Sequence, residues 1–205
     1  MKKLVVASVI LSVLVFFGAA LAAENQPSAK ATAKVGNINV LDQTDLPQTL
    51  ILSQILKTAS QKDLFIDVSL ECGLYTKTKS GKAGTVDTSI AKGGVYVTVY
   101  VDDIEAYPGE VKFCEREQTL TTLLGGFLVG DVVRDEYVEL ILKTMDANSF
   151  NFIMPDLSAG VHTIKVKARI DTDVSGVAEA KGSIGKGSVT VESVRMIRNE
   201  DFNLP

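Results

Sequence analysis

Oxygen-bearing side chains stand at alternate positions in Asp171-Thr172-Asp173-Val174-Ser175-Gly176, and Glu179 follows three residues later. That spacing is what a calcium loop needs, because a hard cation takes carboxylate and hydroxyl oxygens and glycine permits the sharp bend. The pattern fails at the twelfth position, where Gly182 replaces the bidentate glutamate. Asp171, Asp173, Ser175 and Glu179 therefore read first as a polar turn between strands and second as a calcium site, calcium being the one cofactor the sequence suggests. Tyr96, Thr98 and Tyr100 project from one side of a strand, where they would either pack across a half-covered sheet or offer a platform to a sugar ring or peptide. Asp102, Asp103 and Glu105 supply carboxylates for a hydrolase, but neighbouring aspartates on a strand point to opposite faces. His162 is the single histidine of the chain and opens an apolar strand face, so it reads as a boundary residue rather than a general base. No G-x-S-x-G elbow is present. GSIGKGS, Gly182–Ser188, has the glycines of a phosphate loop, yet Gly187 stands where a hydroxyl would meet magnesium, and the segment reads as a flexible hairpin turn.

The cysteines carry the firmest chemistry. Cys72 and Cys114 are the only two, and both follow a leader that sends the chain to an oxidising compartment, so a disulfide is expected and two free thiols are the alternative. Closing that loop would stabilise the fold by about 4 kcal/mol in the chain-entropy picture. One detail resists: Cys72 shares parity with the apolar face of its strand, whereas Cys114 alternates with Val111 and Phe113. A β-bulge would resolve the conflict.

The elements that must hold these groups are short β-branched runs with period-two alternation, separated by Gly, Asp, Asn and Pro. Leu64 to Cys72, Val95 to Val101, Val111 to Leu124, His162 to Ile170 and Val189 to Ile197 each read as strands. Val138 to Leu142 and the run from Phe150 read as hairpin partners about a turn at Asp146–Ser149. Residues 73–94, GLYTKTKSGKAGTVDTSIAKGG, are polar, glycine-rich and basic, and read as a long loop or extended hairpin whose four lysines would meet an acidic partner. Seven to nine strands without helical periods predict an all-β fold, an antiparallel two-sheet β-sandwich. The phrase LSAGVHTIKVKA, residues 157–168, resembles a turn and strand common in immunoglobulin-like and fibronectin-like sandwiches of exported proteins. That resemblance implies a fold and no activity.

Ahead of this domain, Lys2 and Lys3 precede an apolar run from Leu4 to Phe17, and Ala20 and Ala22 close it as an A-x-A site. Residues 1–23 thus read as a secretory signal peptide, with an uncleaved membrane anchor as the alternative. Residues 24–34 read as a flexible leader, 35–198 as one sandwich domain and 199–205 as a tail. The chain of 205 residues carries a net charge of −4, more acidic still once the two leader lysines leave. Scattered basic residues on an acidic chain argue against nucleic acid or anionic lipid as a partner. The expected protein is a secreted, periplasmic or cell-surface binding module for a protein or glycan, without catalytic activity. A structural or adhesive surface subunit is the alternative, and an exported hydrolase the third.

Overall fold

The computed structural model describes residues 30–196, and within them every regular element is a strand. The expected signal peptide and tail lie outside the described residues. In chain order the strands are β1 (Lys30–Gln43), β2 (Leu46–Thr58), β3 (Lys62–Ser80), β4 (Val86–Val101), β5 (Ile104–Glu105), β6 (Val111–Leu123), β7 (Phe127–Val129), β8 (Val132–Arg134), β9 (Val138–Leu157), β10 (Gly160–Ser175) and β11 (Val177–Val194). The described residues hold eleven, more than the seven to nine expected. β1 begins at Lys30, inside the stretch read as a flexible leader, because Lys30 to Lys34 pair with Ser193 to Val189.

Pairing follows one rule. The first long strand pairs with the last, β1 with β11, then β2 with β10, β3 with β9 and β4 with β6, all antiparallel. Further pairing of β11 with β3 and of β10 with β4 rolls this extended hairpin into two sheets, ordered β1-β11-β3-β9 and β2-β10-β4, with β5 and β6 both on β4. This nested order is that of a double-sheet jelly roll rather than of an immunoglobulin sandwich. The immunoglobulin-like resemblance of residues 157–168 therefore holds for a local turn and strand only: β9 ends at Leu157 and β10 begins at Gly160.

The two inner faces bury the alternating residues that the sequence marks. Leu64, Ile66, Val68 and Leu70 of β3 meet Val95, Val97, Val99 and Val101 of β4, Ile164 and Val166 of β10, Val189 and Val191 of β11, and Phe152 of β9. The Cys72–Cys114 disulfide joins β3 to β6, and so one sheet to the other. The parity conflict at Cys114 is settled by a register shift: Val95 pairs with Cys114 but Tyr96 pairs with Lys112, so Phe113 is the extra residue of a bulge and turns inward with its neighbour.

Three segments, one read as a long loop or extended hairpin and two as turns, are largely strand. Residues 73–94 are the end of β3, a tight turn and the start of β4, and their inner positions Thr76, Thr78, Ser80 and Ser89 are buried although polar. Asp146–Ser149 lie in mid-strand, because β9 pairs with β3 without a break from Met154 to Val138 rather than folding back on itself. Gly182–Ser188 belong to β11, which shifts register once between Ile184 and Gly187. Glycine is needed there for space: a Cβ at Gly187 would stand 2.3 Å from Leu70 and 2.9 Å from Ile38.

Candidate functional site

Asp102 and Asp103 sit at the centre of the two-residue turn joining β4 to β5, both with positive φ (50° and 68°), and Val101 pairs with Ile104 across it. Two positive φ values define the hairpin turn whose twist suits its strands, and aspartate tolerates that conformation. The turn delivers Asp102 to β10, where Oδ2 faces His162 Nδ1 at 2.7 Å and Oδ1 accepts from the Thr163 N–H at 2.9 Å. Partial burial works against the Asp102 carboxylate. The Thr163 N–H, the His162 ring and the charges of His162 and Lys165 outweigh it and hold the carboxyl below its ordinary range.

On the far side of the ring, Nε2 lies 2.9 Å from the Ser158 carbonyl and 3.1 Å from Thr58 Oγ1. The Thr58 hydroxyl donates to the Ser158 carbonyl at 2.8 Å and is only 3% exposed. The line Asp102–His162–Thr58 thus has the order of a nucleophilic triad but buries its hydroxyl and engages the proton elsewhere. It acts as a clasp tying the β4–β5 turn, the end of β2 and the β9–β10 turn. Asp103 forms an ion pair with Lys165 at 2.7 Å, and Glu105 pairs with Tyr100. The carboxylates of Asp102 and Asp103 thus go to different partners on β10.

Tyr96 and Tyr100 share the outer face of β4, with cations over both rings. The Arg169 guanidinium lies 3.9 Å from the centre of the Tyr96 ring and Lys167 Nζ 4.3 Å from that of Tyr100. Glu110 holds Arg169 through two contacts of 2.7 Å, and this hydrogen-bonded pairing keeps the Glu110 carboxyl below its usual range. Thr98 is buried between the rings and accepts from Gln48 Nε2 at 3.2 Å. Burial, with Glu115 beside it, pushes the Tyr96 phenol up.

Asp171 and Asp173 reach the same face from β10 and line, with Tyr96 and Lys92, a cavity of about 200 Å³. Ser175 ends β10, while Glu179 lies on β11 in the other sheet, in an ion pair with Lys181 at 2.7 Å. The four calcium-loop residues are therefore strand residues divided between two sheets, and the described residues contain no cluster of three or more metal-ligating side chains.

A different feature is built by β9. It lies at the edge of its sheet, and the ten residues from Val138 to Ala147 are all exposed. Its register with β3 puts Val138, Leu140 and Leu142 on the inner face beside Ser80, Thr78 and Thr76, and Glu139, Ile141, Lys143 and Met145 on the outer face. Apolar side chains thus stand on both faces of one exposed strand. Val138, Leu140, Ile141, Leu142 and Met145 are each at least 40% exposed. Exposed apolar residues also make up the small hairpin of β7 and β8, which joins the same end of the molecule where the Ala83 N–H donates to Asp135 at 2.9 Å.

Further along, the free side of β9 is closed. Ile153 exchanges both backbone hydrogen bonds with Tyr107, at 2.9 Å each, so its N–H and C=O point away from β3. These directions alternate along a strand, and the register with β3 is unbroken between Ile153 and Val138. The backbone groups of Glu139, Ile141, Lys143 and Met145 therefore point outward too, along an edge that no strand among the described residues covers. Sequence reasoning passed over this edge. Its one signal is Ile141, an apolar residue inside the alternation of VELILK, which marks a strand with no fully polar face.

Strand order defines the class of the protein, an all-β chain built as a double-sheet jelly roll. No family model and no curated protein matches it. Among solved structures it aligns with that of the infectious bursal disease virus Gx strain, at 12% identity and a TM-score of 0.28, over 84% of this chain and 33% of that one. The VP2 subviral particle of the same virus gives 11% identity and a TM-score of 0.32 over 81% and 33%. The Cry23Aa1 and Cry37Aa1 binary protein complex gives 11% and 0.24 over 82% and 75%. The chain spans about a third of the length of the two viral chains. Scores at this level carry no argument, and the fold assignment rests on the pairing order alone.

Proposed function

We propose that the chain is an exported, non-catalytic interaction module that takes a protein partner by strand addition along β9. The observation that carries this reading is the uncovered run from Val138 to Ala147, which joins outward backbone donors and acceptors to apolar side chains on both faces. Backbone pairing supplies affinity in such additions, and alternate side chains supply selectivity. Export is favoured by the amino-terminal sequence and by the Cys72–Cys114 disulfide. A protein is favoured over a glycan because the outward groups of β9 form a ladder edge, whereas Tyr96 and Tyr100 have cations over their rings. A polymer-forming structural subunit would need two adhesive edges. The opposite edge strand, β1, is broken by register shifts between Asn37 and Val40 and again between Val40 and Gln43, which favours the module.

The test places a photo-crosslinking residue at Ile141, with Val35 as a control position, in the cell that exports the protein. Protein adducts at Ile141 and none at Val35 are expected. Absence of adducts at Ile141 would remove the reading.

A further inference from the structure

Resting on that reading, we infer that the partner of β9 is a second copy of this chain, paired antiparallel about a two-fold axis through Ile141. The argument is one of register. An antiparallel self-pair centred on Ile141 sets Glu139 opposite Lys143 of the other copy, and Lys143 opposite its Glu139. Leu140 then faces Leu142, Val138 faces Thr144 and Tyr137 faces Met145. Opposite charges directly across a ladder are favourable and like charges are not, so the strand is complementary to itself in this register. Moving the axis by one residue, to Leu140, would set Glu139 against Ile141 and Lys143 against Tyr137, which removes both charge pairs and leaves the lysine against an aromatic ring.

Backbone geometry is compatible with this centre, and the charge register selects it. The N–H and C=O of Glu139, Ile141 and Lys143 point away from β3. Ile141 would bond to its own copy, and each Glu139–Lys143 pair would exchange both N–H···O bonds. Side chains directly opposite in such a pair lie on the same face, so the leucines of both copies meet on the inner face and the isoleucines and charges on the outer one. Lys77, 3.0 Å from Glu139 on the outer face, extends the charge row. Tyr107 limits the pairing: it already occupies the edge at Ile153, so the ladder is confined to the portion of β9 nearer Val138. The product is one continuous sheet running from β1 of one copy to β1 of the other. A two-fold contact of this kind closes on itself and yields a dimer rather than a fibre.

The test uses the full exported chain, with mass read by light scattering after size exclusion. The wild type is expected as a dimer. E139K and K143E alone each set like charges opposite one another twice, and each is expected to weaken the dimer by about tenfold or more. Their equimolar mixture sets the two lysines of the E139K strand against the two glutamates of the K143E strand and is expected to dimerise again. I141P removes an outward N–H while leaving the bonds to β3, so it is expected to be a folded monomer by circular dichroism. A wild type that stays monomeric at about 200 µM overturns the self-pairing, since the dissociation constant would then lie above the range of a specific dimer. So does a dimer indifferent to I141P, or a mixture that fails to reassociate. Should crosslinking at Ile141 still capture other proteins while the wild type is monomeric, only the self-pairing falls; without any adduct, the module reading falls with it.

Discussion

The two ends of the sandwich bury the same β3 strand by different means. Toward His162 its inner residues are Leu64, Ile66, Val68 and Leu70, packed on valines, isoleucines and Phe152. Toward Gly81 they are Thr76, Thr78 and Ser80, equally buried but held by hydrogen bonds. There, Gln118 of β6 accepts from the Thr76 hydroxyl at 2.8 Å and donates to Thr78 Oγ1 at 2.7 Å and to the Leu140 carbonyl at 2.9 Å. Ser80 donates to the Asp87 carbonyl and Ser89 to that of Lys79. No buried side-chain donor or acceptor lacks a partner among the described residues. The apolar end gains from removing surface from water, an effect without direction; the polar end gains little net energy but demands one geometry. The disulfide stands between them. The polar end is also the one that leaves the inner face of β9 exposed, so the uncovered edge lies where the core contributes least.

That contrast can be broken most severely at the apolar end. Phe152→Ala is expected to destabilise by about 3–5 kcal/mol in urea unfolding, because the ring is fully buried and the rigid sheets cannot close over the cavity. Replacing Cys72 and Cys114 together by alanine comes next, at about 2–4 kcal/mol, seen as a lower midpoint and absent when both proteins are measured under reducing conditions. At the polar end, Gln118→Leu is expected to lose about 1–3 kcal/mol by orphaning Thr76 and Thr78. Adding Thr76→Val and Thr78→Val should return most of that loss, whereas a purely space-filling role for Gln118 would give no such recovery. The smallest effect belongs to the clasp at the apolar end. Asp102 has a depressed pKa when folded, so its contribution is present above the ordinary aspartate value and is lost as pH falls through the folded one. Asp102→Asn should flatten the acid limb of a melting-temperature profile below about pH 4, with a loss at neutral pH under about 1 kcal/mol because the carboxylate is half exposed.

The same contrast explains what was legible in the sequence. Leu64 to Cys72, Val95 to Val101 and His162 to Ile170 announce themselves because apolar and polar residues alternate, and there the strands follow the reading closely. Thr76, Thr78, Ser80 and Ser89 carry no such mark, since a buried threonine satisfied by Gln118 looks like an exposed one in a string of letters. Residues 73–94 therefore read as a long loop or extended hairpin, without a buried face. Asp146 to Ser149 failed for a related reason: turn-forming residues became strand because β3 offers an unbroken partner along their whole length. Strand order was beyond local pattern altogether, since it is set by which distant strands meet. The disulfide was legible because only two cysteines exist, and its awkward parity pointed to the bulge at Phe113. The β9 edge was not, because its significance lies in what fails to pair with it.

Nested pairing has a consequence for the timing of folding. Among the described strands β1 is the first to leave the ribosome, and β11, its ladder partner, is the last. Lys30 consequently waits for Ser193, whereas β4 finds β5 and β6, and β7 finds β8, early. Topologies dominated by such distant contacts fold slowly. A chain that cannot close its outer ladders until its last strand has been made keeps the β1 edge of its sheet waiting on residues more than a hundred positions away.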